Sequence, residues 1–114
     1  MEIREDRGDG VLVVAPRGRI DSNTSGALEK RLLQHLASGE KHLVIDLGGV
    51  EYISSAGLRV LLLAANKLRP LGGRLVLCSM GQSVREVFEL AGFTAVFTIE
   101  ASRELALARL AGSA

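Results

Sequence analysis

The chain has 114 residues, 47% hydrophobic and 24% charged, with a net charge of +1, enough to bury about two-thirds of its surface as one domain over residues 1–114 without staples. A single cysteine, Cys78, excludes a disulfide framework and a cysteine-rich zinc site, while interspersed charges and only four aromatics, Tyr52, Phe88, Phe93 and Phe97, argue against nucleic acid as a partner. The charged start MEIREDRGDG lacks an apolar signal region and no apolar run approaches the ~20 residues of a membrane span, so neither a signal peptide nor membrane insertion is expected, and the cytoplasm is the expected location.

In chain order, Ile3 to Arg7 is nearly all charge and is followed by Asp9-Gly10 and the apolar run Val11 to Ala15. That pattern predicts a hairpin with a charged edge strand. Leu28, Leu32 and Leu36 recur at helical spacing before Gly39, which predicts a helix from about Thr24 to Ser38. His42 to Leu47 reads as a central strand buried on both faces and stopped by Gly48-Gly49. From Ser54 to Leu68 only Arg59, Asn66 and Lys67 are strongly polar beyond the opening serines, so this second helix is expected to be largely enclosed. Pro70 and Gly72-Gly73 end it, and Leu75 to Cys78 supplies a further strand. Val84, Val87, Phe88 and Ala91 mark a third helix capped by Gly92; Ala95 to Ile99 a last strand; Leu105, Leu107 and Leu110 a closing helix.

The resulting order is β-β-α-β-α-β-α-β-α. Strands alternating with helices imply an α/β fold whose later strands pair in parallel through right-handed crossovers, beginning with an antiparallel hairpin. No internal repeat or linker divides it.

The glycines do not form a nucleotide loop, because neither G-x-G-x-x-G nor G-x-x-x-x-G-K-[ST] occurs. His35 and His42 have no second ligand at metal-binding spacing nearby, so no metal site is expected. Cys78 lies in an apolar strand with no flanking base and reads as a core residue. No serine-hydrolase elbow is present, and no catalytic residue is assigned. What remains is Asp46 to Leu58, DLGGVEYISSAGL, running from a strand through a glycine turn to two serines at the mouth of an apolar helix. A helix N-terminus presents unpaired N–H groups and about half a positive charge, so a serine there can cap the helix or carry a phosphate held by the same dipole. Position alone leaves both roles open for Ser55.

This segment resembles the motif of STAS-domain anti-sigma factor antagonists of bacterial partner-switching systems. The resemblance rests on Asp46, Leu47, Val50, Tyr52, Ile53, Ser55 and the Gly57-Leu58 pair, and on an element order that matches the STAS-like fold. It implies that Ser55 is phosphorylated by an anti-sigma factor that is itself a serine kinase, and that a PP2C-type phosphatase reverses the modification. The unphosphorylated form would bind the anti-sigma factor and free its target. ATP would belong to the kinase, leaving this chain a substrate and ligand without a cofactor or an enzymatic activity of its own. Ser54 stands where the family often has aspartate, which makes it an alternative acceptor. GRID, Gly18 to Asp21, matches a second family feature and would place Asp21 near the phosphoacceptor loop. The expected partner-binding set is therefore Asp21, Ser22, Asn23, Ser54, Ser55, Ala56, Gly57 and Arg59. The alternative implied by the same resemblance is an adaptor subunit of a lipid-transporting ABC complex, with Ser55 only a helix cap.

Overall fold

The N-terminal hairpin is present in the computed structural model, which describes residues 1–111; the last three residues of the expected 1–114 domain lie outside the described residues. Strands β1 (Glu2–Gly8) and β2 (Val11–Ile20) pair antiparallel around Asp9 and Gly10, whose φ angles are 54° and 78°. Positive φ at both central residues matches the right-handed twist of the flanking strands, and Asp-Gly tolerates it.

Alternation along β2 then builds two cores. Leu12 and Val14 face one side of the sheet, Val11 and Val13 the other, and none of the four is more than 6% exposed. Strands β3 (His42–Asp46), β5 (Arg74–Cys78) and β6 (Thr98–Glu100) continue the sheet in parallel, in the order β1-β2-β3-β5-β6. Leu43, Val44 and Ile45 are fully buried, which is the central strand read from the sequence. Helices α1 (Ser25–Ala37), α2 (Ser55–Leu68) and α3 (Gln82–Leu90) pack on the Leu12 and Val14 face. The opposite face is covered by α4 (Arg103–Ala111) through Ala106 and Leu110, against Val11, Val13, Val44, Val76 and Cys78.

The largest departure from expectation is an additional strand, β4 (Val50–Ile53), which pairs in parallel with Gly18 to Ile20 of β2. β2 is correspondingly twice as long as its apolar run, and it changes partner along its length: Leu12 to Val14 pair with β3, Gly18 to Ile20 with β4. Pro16 falls between these two registers, where its missing N–H removes no ladder bond on that edge. Gly18 takes φ 94° beside the register shift, a conformation that favours glycine.

Two smaller corrections concern the C-terminal part. The last strand begins at Thr98 and not Ala95, because Phe97 turns inward to pack edge-on against Phe88 and Phe93, with ring centroids 5.8 Å and 6.0 Å away. In α4 the buried positions are Ala106 and Leu110, with Leu107 at their margin and Leu105 51% exposed, so the i, i+4 pair sets the inner face rather than the leucines alone.

Charged pairs fasten the exposed edge strand. Arg31 of α1 grips both oxygens of Glu5 at 2.6 Å and His35 meets the same carboxylate at 2.6 Å, while Arg7 pairs with Glu40 beyond the end of α1. His35 is itself packed against the β1 carboxylate.

In α2 the apolar face, Leu58, Val60, Leu61, Ala64 and Leu68, is buried while Arg59, Asn66 and Lys67 face solvent. A fully buried leucine such as Leu61 gains about 1.5–3 kcal/mol on leaving water, whereas an N-cap contributes about 1 kcal/mol. Packing therefore holds α2 in place, and the exposed Ser55 is free to carry chemistry without deciding the fold.

Candidate functional site

Two parallel strands end side by side, β2 at Ile20 and β4 at Ile53, and these two residues are direct register partners. The chain leaves each strand into a helix, through Asp21 to Thr24 into α1 and through Ser54 into α2. Two helix N-termini and two short loops thus share the carboxyl edge of the sheet, the usual functional crevice of open α/β folds. The Ser54 N–H donates to the Ile20 carbonyl at 2.8 Å and ties the loops together.

The two serines have different jobs. Ser54 is the N-cap of α2: its backbone is extended and its Oγ accepts from the Gly57 N–H at 3.4 Å, while its carbonyl accepts from Leu58 N–H at 3.0 Å. Ser55 occupies the first helical position, is exposed, and its hydroxyl makes no hydrogen bond among the described residues. Capping, read from sequence as the alternative role of Ser55, belongs instead to Ser54, whose extended backbone aims its oxygen back at the first turn. Arg59 lies one turn beyond Ser55 on the same side of the helix and is exposed. Gly57 is buried; a Cβ there would stand 2.7 Å from Ile20 Cγ2 and from Ile53 Cγ1, so only glycine lets α2 start this close to both strand ends. Ala56 is half-buried beside it.

The Asp21 loop is built from local hydrogen bonds. Asp21 Oδ1 accepts from the Asn23 N–H at 2.9 Å, the Asp21 N–H donates to Thr24 Oγ1 at 2.9 Å, and Thr24 Oγ1 donates to the Arg19 carbonyl at 2.8 Å. The Asn23 N–H, with help from Thr24 and the Arg19 charge, holds the Asp21 carboxyl below its ordinary range. Asp21 therefore presents a fixed carboxylate at this edge, with Ser22 and Asn23 exposed beside it. The predicted partner-binding residues are brought to one edge of the molecule.

The expected partner-binding set left out Arg19 and Tyr52. The register between β2 and β4 skips Glu51, and this bulge puts Tyr52 opposite Arg19. The guanidinium lies 4.3 Å from the ring centroid, and its Nε stands 3.6 Å from Asp21 Oδ2. Both residues stand inside the quoted segments GRID and DLGGVEYISSAGL, but only the pairing of β2 with β4 brings them together.

A recess of about 340 Å³ lies at the other end of β2, lined by Val11, Val13, Leu107 and Ala108. Among the described residues no group of three or more His, Cys, Asp or Glu could hold a metal, and no helix is long and apolar enough to cross a membrane. Cys78 is fully buried, and burial pushes its thiol up.

Comparison with known proteins agrees with this architecture. The STAS domain family matches residues 2–106. BtrV of Bordetella bronchiseptica, which carries the name of an anti-sigma factor antagonist, is 45% identical over 108 residues, covering 95% of this chain and 93% of BtrV. The crystal structure of an anti-sigma factor antagonist from Mycobacterium paratuberculosis superposes with a TM-score of 0.87 at 31% identity, covering 95% of this chain and 92% of that one. SpoIIAA shares the fold at 17% identity, with TM-scores of 0.75 for its unphosphorylated form, over 97% of this chain and 99% of SpoIIAA, and 0.73 for the phosphorylated Bacillus form, over 96% and 99%.

Proposed function

The chain belongs to the STAS domain family, and on that premise we propose that it is an anti-sigma factor antagonist whose grip on its partner is switched by phosphorylation of Ser55. The observation that carries the assignment is the division of labour between the serines. Ser54 is engaged as the cap of α2, and its neighbour Ser55 stands exposed, its hydroxyl unbonded among the described residues and within reach of a kinase. The relatives bearing the name of anti-sigma factor antagonists, and the existence of SpoIIAA in both phosphorylated and unphosphorylated forms, support the same reading.

In this reading the unphosphorylated chain docks on an anti-sigma factor through Asp21, Ser22, Asn23, Ser54, Ser55, Ala56, Gly57 and Arg59. The anti-sigma factor is a serine kinase that brings its own ATP and catalytic groups, and a PP2C-type phosphatase restores the free serine. Phosphorylation adds about −1.5 to −2 charge at one point. The dipole of α2 offsets only about 0.3–1 kcal/mol of its cost, and Arg59 on the same side adds a cationic neighbour, so the fold survives modification. Docking does not. A phosphate pressed uncompensated into a dry interface costs several kcal/mol, and at 1.4 kcal/mol per tenfold this amounts to roughly a thousandfold in affinity.

The test is intact and fragment mass analysis of the protein from its native cells beside a Ser55→Ala variant, with binding to the anti-sigma factor measured for both. Phosphate on Ser55 that disappears in the variant, with binding retained, supports the switch. Phosphate confined to Ser54 moves the acceptor, and no phosphate in any growth condition overturns the proposal.

A further inference from the structure

We infer that Arg19, stacked on Tyr52, is a second anchor for the anti-sigma factor and receives a carboxylate from it; this rests on the antagonist reading above but not on which serine is phosphorylated. Both side chains are solvent-facing, with the Arg19 side chain 59% exposed and Tyr52 38%. The guanidinium is held over the ring, 4.3 Å from its centroid, yet among the described residues none of its N–H groups makes a hydrogen bond. Asp21 steadies it from 3.6 Å, too far for a hydrogen bond to Nε, and Asp21 Oδ1 is already taken by the Asn23 N–H. An arginine fixed in this way presents a planar fork with its donors unspent, the arrangement that binds a carboxylate through two parallel hydrogen bonds and loses little freedom in doing so.

The bulge in the β2–β4 register supports the same conclusion. In an unbulged register Glu51 would stand opposite Arg19; skipping it puts an aromatic platform there instead, and the carboxylate paired with Arg19 is that of Asp21, beyond hydrogen-bond distance. The pair is also continuous with the proposed switch. Arg19 is two residues before Asp21 and Tyr52 is two before Ser54, on adjacent strands in direct register. A partner seated on the Ser55 edge therefore reaches Arg19 and Tyr52 across the ends of β2 and β4, and tyrosine and arginine are the residue types that dominate binding energy at interfaces.

The experiment measures binding of purified anti-sigma factor from the same organism to the unphosphorylated protein. Arg19→Ala is expected to weaken binding about tenfold or more, and Arg19→Lys to recover little because an ammonium lacks the fork. Tyr52→Phe keeps the platform and should bind within about twofold of wild type, whereas Tyr52→Ala should resemble Arg19→Ala, and the double variant should be little worse than either single one. Charge reversal by Arg19→Glu should be rescued by a partner carrying Lys in place of the contacted carboxylate, a recovery that a merely structural role for Arg19 could not give. Ser55→Glu is measured in parallel. If it weakens binding while Arg19→Ala binds within about twofold of wild type, the anchor is wrong and the switch stands. If Arg19→Ala weakens binding while Ser55→Glu does not, the anchor stands and the switch at Ser55 falls. Failure of the wild-type protein to bind any anti-sigma factor of the organism overturns both.

Discussion

Gly57 and Ile20 stand so close that a β-carbon on the glycine would lie 2.7 Å from Ile20 Cγ2, with Ile53 Cγ1 equally near on the other side. The start of α2 is thus clamped onto the ends of β2 and β4, and the position of Ser55 depends on an absent methyl group. Gly57→Ala gains about 1 kcal/mol of helix propensity but forces the helix off both isoleucines, so a net destabilisation of about 1–2 kcal/mol is expected from overpacking. Urea denaturation measures it directly. A variant as stable as wild type would mean that the helix start shifts freely and that the clamp does not fix the site.

The two serines should separate stability from signalling. Ser54→Ala removes the cap of α2 and should cost about 0.5–1 kcal/mol, the lower part of the usual range because the bond to Gly57 N–H is long at 3.4 Å. Ser54→Asp should restore that stability, since a carboxylate at an N-cap also meets the helix dipole favourably. Ser55→Ala, at an exposed position, should leave stability within about 0.5 kcal/mol while abolishing the phosphorylation proposed above. Equal stability losses from the two alanine variants would contradict the assignment of the cap to Ser54.

Much of this fold was legible because its signals are local. The Asp9-Gly10 turn, the leucine spacing of α1 and the apolar runs of β3 and β5 each depend on neighbours within a few residues. Strand β4 was not, because only Val50 and Ile53 are buried while Glu51 and Tyr52 are both exposed. The bulge at Glu51 breaks the alternation that identifies a strand, and the partner that stabilises it lies some thirty residues earlier, behind a proline and a glycine that read as punctuation. The same miss hid Arg19 and Tyr52, whose contact exists only through that pairing. Ser55 was singled out by its position at the helix mouth and by the family motif, but which serine caps the helix is a matter of backbone direction that residue type does not encode.

Cys78 offers a probe of opening at the sheet. It is fully buried under α4 against Val44 and Val76, and burial raises its thiol above the ordinary range, with a hydrogen bond to Ser79 opposing the shift. The thiolate is the reactive species, so the native protein should react with an aromatic disulfide reagent about a hundredfold or more slowly than the urea-unfolded chain. Rapid reaction of the native protein would place α4 in frequent detachment from the sheet.

The Glu5 network predicts a specific acid limb in the stability curve. Hydrogen bonding from Arg31, with His35 adding to it against a desolvation penalty, lowers the Glu5 carboxyl from 4.5 to about 2. The folded state thus favours ionised Glu5 more than the unfolded chain does, so its contribution is fully present above about pH 4.5 and is lost as pH falls toward 2. Glu5→Gln removes this titration, so the wild-type and variant unfolding free energies should lie furthest apart above pH 4.5 and converge as pH falls toward 2. Because Arg31 is open to solvent, added salt should narrow the gap between them. Parallel curves across that pH range would show that Glu5 titrates alike in folded and unfolded chains, and that the charged tie between β1 and α1 holds the edge strand no better than water does.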